Sequence, residues 1–139
     1  MSSRILVAMD NSEMAERTLR YALETHPGAE ITVIHVVGEP SSMWGKAAEI
    51  ALADDVEQAA TELAEDLLEN ARAIAGEYDR EIETQVQVGH PARAIIDQAD
   101  AYDLVVIGTH GGTLTERLLV GNVAETVFRR SPVPVTVVR

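Results

Sequence analysis

The sequence predicts a three-layer α/β/α fold built on a five-stranded parallel sheet of order 3-2-1-4-5. Three observations lead there. Five short apolar runs are separated by four stretches of helical periodicity, which is the pattern of parallel strands joined by crossover helices. The runs at 5–9 and 103–108 are apolar on both alternating faces, as central strands are. The third run instead alternates apolar with polar residues and is rich in Gln, which suits a sheet edge. Of the two common doubly wound orders, 2-1-3-4-5 puts the third strand in the centre and 3-2-1-4-5 puts it at the edge. The edge character of the third strand selects the latter.

Ile5 to Met9 forms the first strand and ends at the polar break Asp10-Asn11-Ser12. Ala15, Leu19, Ala22 and Leu23 then recur at helical spacing until His26-Pro27-Gly28 stops the run. Ile31 to Val37 is the second strand, and Gly38-Glu39-Pro40-Ser41-Ser42 opens a loop. From about Ala47 to Ala75, Val56, Ala60, Leu63, Leu67 and Ile74 keep helical spacing among acidic residues, a pattern compatible with a break near Asp54-Asp55. Ile82, Thr84, Val86 and Val88 alternate with Glu83, Gln85 and Gln87 as a third strand with one buried face. Gly89-His90-Pro91 starts a third helix, with Ile95, Ile96 and Ala99 facing inward. Asp103 to Gly108 is the fourth strand, Val123 to Arg130 the fourth helix and Pro134 to Val138 the last strand.

A chain of 139 residues, 46% hydrophobic and 24% charged, has the size and composition of one globular domain spanning 1–139. It carries no apolar run of transmembrane length and no signal-peptide pattern, so a cytoplasmic protein is expected. The absence of cysteine excludes a disulfide framework, a thiolate metal site and a thiol nucleophile. A net charge of −12 disfavours nucleic acid as a partner.

In the order 3-2-1-4-5 the winding reverses between strands 1 and 4, so a ligand is expected at their carboxyl ends. The loops there are Asp10-Asn11-Ser12 and Gly108 to Asn122. The second contains Gly108-Thr109-His110-Gly111-Gly112 and, at the mouth of the fourth helix, Gly121-Asn122. Glycines admit close backbone approach, and the amides of Val123 and Ala124 at a helix start suit a phosphate. Local physics leaves a second reading open, in which Gly108 ends a strand, Gly111-Gly112 turns and Asn122 caps the helix. Asp10 likewise admits two compatible roles. It can cap the first helix, with Glu13 three residues on and Ser12 as a competing cap, or it can contact a ribose or a metal. His110 is read as a solvent-facing loop residue, with phosphate contact as the alternative. His26, His35 and His90 lack metal-ligand spacing.

Gly108, Gly111 and Gly121, spaced Gly-x2-Gly-x9-Gly, resemble the universal stress protein family, as do the N-terminal Ile-Leu-Val-Ala-Met-Asp-Asn-Ser-Glu and the C-terminal Ser-Pro-Val-Pro-Val-Thr-Val-Val-Arg. The likeness runs from Arg4 to Arg139. It implies a Rossmann-like domain, usually homodimeric, in the subgroup that binds ATP. On that resemblance the backbone of Ala8 and Met9, together with Asp10 and Val36, meets the adenosine. Ile107 and Gly108 lie along the nucleoside, and Gly111, Gly121, Asn122 and Val123 hold the phosphates. Asn122 departs from the family's usual Ser or Thr, although a carboxamide still offers two donors.

The chain has no Walker A lysine, since its one lysine is Lys46, and it has no dinucleotide glycine fingerprint after strand 1 and no Gly-x-Ser-x-Gly elbow. The expectation is therefore no catalytic residues and at most slow ATP hydrolysis, with Mg2+ carried mainly by the nucleotide. Two functions remain in contention: an ATP-binding stress-response or signalling module, and a dimeric interaction protein of the same fold that binds no nucleotide. A phosphoacceptor receiver domain is excluded, because Val88-Gly89 stands where its aspartate would be. The apolar strand at 133–138 is expected at a sheet edge, where pairing with a second copy would form a homodimer.

Residues 47–83 hold twelve acidic residues and two arginines, a net −10 of the total −12, read here as a solvated helix face. Ten arginines to one lysine beside this excess of acid resembles proteins of salt-loving organisms. Dialysis out of high salt is expected to unfold the protein as screening of these carboxylates is lost, which circular dichroism would follow.

Overall fold

The computed structural model describes residues 3–10, 13–37, 62, 64–109 and 122–139. Five parallel strands form one sheet in the order β3-β2-β1-β4-β5. They are β1 (Arg4–Ala8), β2 (Glu30–Val37), β3 (Glu83–Val88), β4 (Leu104–Gly108) and β5 (Val135–Val138). The helices are α1 (Glu13–Thr25), α2 (64–77), α3 (Pro91–Ala99) and α4 (Asn122–Arg130). The expected order of strands is the observed one. The loop at 38–42, the start of the second helix and its break near Asp54-Asp55 lie outside the described residues.

Alternation along β1 explains the layers. Ile5, Val7 and Met9 join Ala15, Leu19, Ala22 and Leu23 of α1 and Leu68, Ala71, Ile74 and Ala75 of α2 in one core. Leu6 points the other way and joins Ile34, Val105 and Ile107 beneath Ala92, Ile95 and Ala99 of α3 and Ala124 and Val127 of α4. Alanine at so many inward helix positions lets the helices lie close on the sheet. Each large side chain buried between them contributes about 1.5–3 kcal/mol.

Several boundaries differ from those expected. α4 begins at Asn122, one residue early, so Asn122 is the first helical residue rather than the cap before the helix. Pro91 opens α3 as expected, while Ile96 is only half-buried and Ala92 takes the inward place. The largest difference is in β3, where Val86 and Val88 are 37% and 61% exposed instead of buried. The strand is at the edge, with β2 as its strand neighbour on one side, and cover thins towards its carboxyl end. Gln85 is drawn inward instead, with its Nε2 donating to Gln98 Oε1 of α3 at 3.2 Å.

At the amino ends of the strands, Arg4 and Asp103 lock β1 to β4. The Arg4 amide donates to Asp103 Oδ2 at 2.8 Å, and the Asp103 amide returns a bond to Arg4 O at 2.7 Å. The Arg4 guanidinium donates to Ala101 O and lies 5.0 Å from the centre of the Tyr102 ring.

On the other side of the sheet, α2 ends in a Schellman motif. Arg80 N donates to Ala75 O and Asp79 N to Gly76 O, with Asp79 left-handed at φ 55°. The motif aims Arg80 at α1, which has no basic residue in its own last turn. The Arg80 guanidinium donates to Leu23 O at 3.2 Å and to Ala29 O at 2.6 Å, putting positive charge against the carbonyl end of that helix. On the outer seam, Arg20 pairs with Glu77 at 2.9 Å. Hydrogen bonds with Tyr78 and Glu77 raise the Arg20 guanidinium above its already high ordinary value. Among the described residues no helix is long and apolar enough to cross a membrane. Replacing Arg80 by Met should lower stability by about 2 kcal/mol, the worth of charged hydrogen bonds to two half-buried carbonyls, seen as a lower urea midpoint with an unchanged slope.

Candidate functional site

At the place where a ligand crevice is expected, β1 and β4 end side by side. Ala8 is in register with Ile107 on one side and with Ile34 on the other. Ala8, Val36, Ile107 and Val123 all belong to the face covered by α3 and α4. Ile107 is buried and the other three are half-buried, which leaves a shallow apolar floor at the carboxyl edge of the sheet. α4 starts beside this floor in sequence and contact, and the first-turn amides of a helix have no partner within the helix.

The remaining predicted residues divide. Met9 belongs to the opposite face, 4% exposed in the core under α1 and α2, so towards the crevice it offers backbone alone. Asp10 is exposed at the point where the chain leaves the sheet. Gly111 and Gly121 lie outside the described residues, as do His110, Asn11 and Ser12, and of Asn122 only the backbone is described. Among the described residues no group of three or more His, Asp or Glu side chains could hold a metal ion.

Gly108 has a reason of its own to be glycine. A Cβ there would collide with Thr18 Oγ1 of α1, while Met14 Cβ and O lie at 3.5 and 3.6 Å. Thr18 cannot simply turn aside. It is fully buried, and its hydroxyl donates to Met14 O at 2.6 Å. The first glycine of the motif thus seats α1 against the end of β4. Thr109, also buried, continues the edge by donating its amide to Val138 O at 2.9 Å.

His35, which has no metal-ligand spacing to the other histidines, is held by the backbone just past β1 instead. It is 7% exposed, and its Nδ1 lies 2.9 Å from Met9 O. Because a carbonyl only accepts, the proton of that hydrogen bond is on Nδ1. The available signal was a polar side chain inside the apolar run Ile31–Val37, since a buried polar group requires a partner.

The whole chain, residues 1–139, matches the model of the universal stress protein family. The chain belongs to the universal stress protein family. Universal stress protein MJ0577 of Methanocaldococcus jannaschii is 30% identical over 158 residues, covering 100% of this chain and 96% of that protein. The structure of universal stress protein UspA from Lactobacillus plantarum superposes with a TM-score of 0.83 at 25% identity, over 99% of this chain and 97% of the other. A universal stress protein solved in complex with cAMP shares the fold at a TM-score of 0.65 and 24% identity, over 99% of this chain and 96% of that one.

The packing of Gly108 generates a prediction within this family member. Gly108→Ala should cost about 1–3 kcal/mol by overpacking against Thr18. In a Thr18→Ala background, which removes the obstructing hydroxyl, the same change should cost less. A double-mutant cycle read by urea denaturation should show coupling of about 1 kcal/mol or more.

Proposed function

We propose that this chain is an adenine-nucleotide-binding universal stress protein that acts in a stress response as a binding and signalling module. The observation that carries the reading is the pairing of Ala8 with Ile107 at the carboxyl end of the two central strands, with Val36 and the first turn of α4 on the same face. This is the reversal point of a doubly wound sheet, where such folds take their ligands. The apolar floor suits the flat adenine and ribose, and Asp10 and the backbone of Met9 border it. The helix start at Asn122 and Val123, with Gly111, Gly108 and Gly121 of the motif, suits the phosphates by amide donation and helix dipole. ATP with Mg2+ is the expected ligand, the metal being carried mainly on the phosphates. A protein of this fold holds cAMP, which supports the adenine-nucleotide class.

The proposed set holds no phosphate-clamping lysine and a single carboxylate, Asp10, so the role we propose is binding, with hydrolysis slow at most. A homodimer through 133–138 accompanies this reading. β5 ends the sheet, its Val135, Thr136 and Val137 are only half-buried, and α1 beside it leaves an open groove along the edge. The same open edge favours the second reading, a dimer that presents its surface without nucleotide.

Calorimetry with ATP and Mg2+ separates the two. Stoichiometric binding, weakened at least about tenfold by Gly121→Val, is expected if the glycine motif grips phosphate through backbone amides. No heat up to millimolar ATP would leave the interaction-protein reading. Light scattering in high salt should give the mass of two chains, and a monomer at micromolar concentration would end the dimer proposal.

A further inference from the structure

We infer that His35 is a positioning residue for the nucleotide, holding the Met9–Asp10 peptide at the mouth of the crevice from behind. The inference rests on the nucleotide-binding reading of that crevice and assigns a role to a side chain outside the proposed contact set.

The registered pairing of β1 with β2 ends at Ala8 and Ile34. One residue further on, both polar groups of the Met9 backbone are held by consecutive residues of β2. Its amide donates to Ile34 O at 3.0 Å, and its carbonyl accepts from His35 Nδ1 at 2.9 Å. Its side chain is buried among α1 and α2, so the residue cannot rotate to relieve either bond. The peptide that follows is planar and trans, which sets the C=O of Met9 and the N–H of Asp10 in opposite directions. With the carbonyl turned towards β2, the Asp10 N–H turns towards β4, the side on which the crevice opens. His35 therefore fixes the direction in which Asp10 leaves the sheet without itself touching the crevice. Its own place is equally determined, for it lies on the face of β2 that carries Ile31 and Val33 into the α1 and α2 core.

The test uses the full chain and three variants. His35→Asn puts an amide nitrogen near the position of Nδ1 and keeps the donor. His35→Gln carries the same amide one methylene further, near the position of Nε2, and His35→Phe keeps the ring without a donor. Each is titrated with ATP and Mg2+ by calorimetry, with thermal melts to confirm that titrations are made well below unfolding. The expected result is an affinity about tenfold weaker in the Gln and Phe variants, the effect of one lost hydrogen bond, with Asn within about threefold of the parent. Asn and Gln have the same polarity, so a loss due merely to a perturbed core would not distinguish them, and that pair decides the matter if Phe fails to fold. Equal affinity in all variants, or Asn as weak as Gln, overturns the positioning role while leaving nucleotide binding intact. A parent protein that binds no ATP overturns both.

Discussion

The carboxyl edge of the sheet depends on the register of β1 against β4. These are the innermost strands on either side of the winding reversal, and their pairing carries Ile5 to Leu104 at one end and Ala8 to Ile107 at the other. The register is set at the amino end by reciprocal bonds between Arg4 and Asp103, the first residue of β1 and the one preceding β4. A slip of one residue would exchange Leu6 with Ile5 and Val7 across the sheet, placing each in the wrong core. It would also separate Ala8 from Ile107, so the latch at one end determines the floor of the crevice at the other.

The polar groups buried in the described residues cluster near the opposite end. Thr18, His35 and Thr109 sit where β4, β2 and α1 meet the carboxyl edge, while Thr32 lies within β2. Two of the three act on backbone: Thr18 on the carbonyl of Met14 and His35 on that of Met9. Thr109 is anchored through its own amide. Interior apolar contacts hold strands together with little directionality, whereas chain ends leaving a sheet need directed bonds to keep a single course. Directed bonds are concentrated where the chain must leave the sheet in a defined direction.

Much of this was legible in sequence. Apolar runs such as Ile5–Met9, and the Ala15, Leu19, Ala22, Leu23 spacing of α1, encode burial through periods that only strands and helices satisfy. The Gln-rich alternation at 83–88 placed β3 at the edge and thereby selected the strand order. The same alternation misled on Val86 and Val88, because a period of two reports which residues share a face and not whether that face is covered. Topology pointed to the carboxyl ends of strands 1 and 4, and Ala8, Val36, Ile107 and Val123, which the family resemblance supplied, share one face at that edge. The collision that makes Gly108 obligatory was not, because it depends on how closely α1 approaches β4, a distance with no local pattern. The link from His35 to Met9 was equally hidden, spanning 26 residues between two strands.

The crevice therefore combines rigid backbone with chemically plain side chains. Ala8, Val36, Ile107 and Val123 offer hydrocarbon, Met9 and Gly108 offer backbone, and Asp10 at the border is the one carboxylate of the set. Catalysis needs groups that change protonation or charge in step with a reacting bond, and such groups are costly to hold in an apolar setting. Binding needs only a matched shape and donors that do not move. A surface of the second kind is what the proposed nucleotide would need, an apolar floor for a flat ring and a helix start for a charged end. The polar residues behind the edge fix its backbone from within the fold, with Met9 held by His35 and Gly108 seated against Thr18.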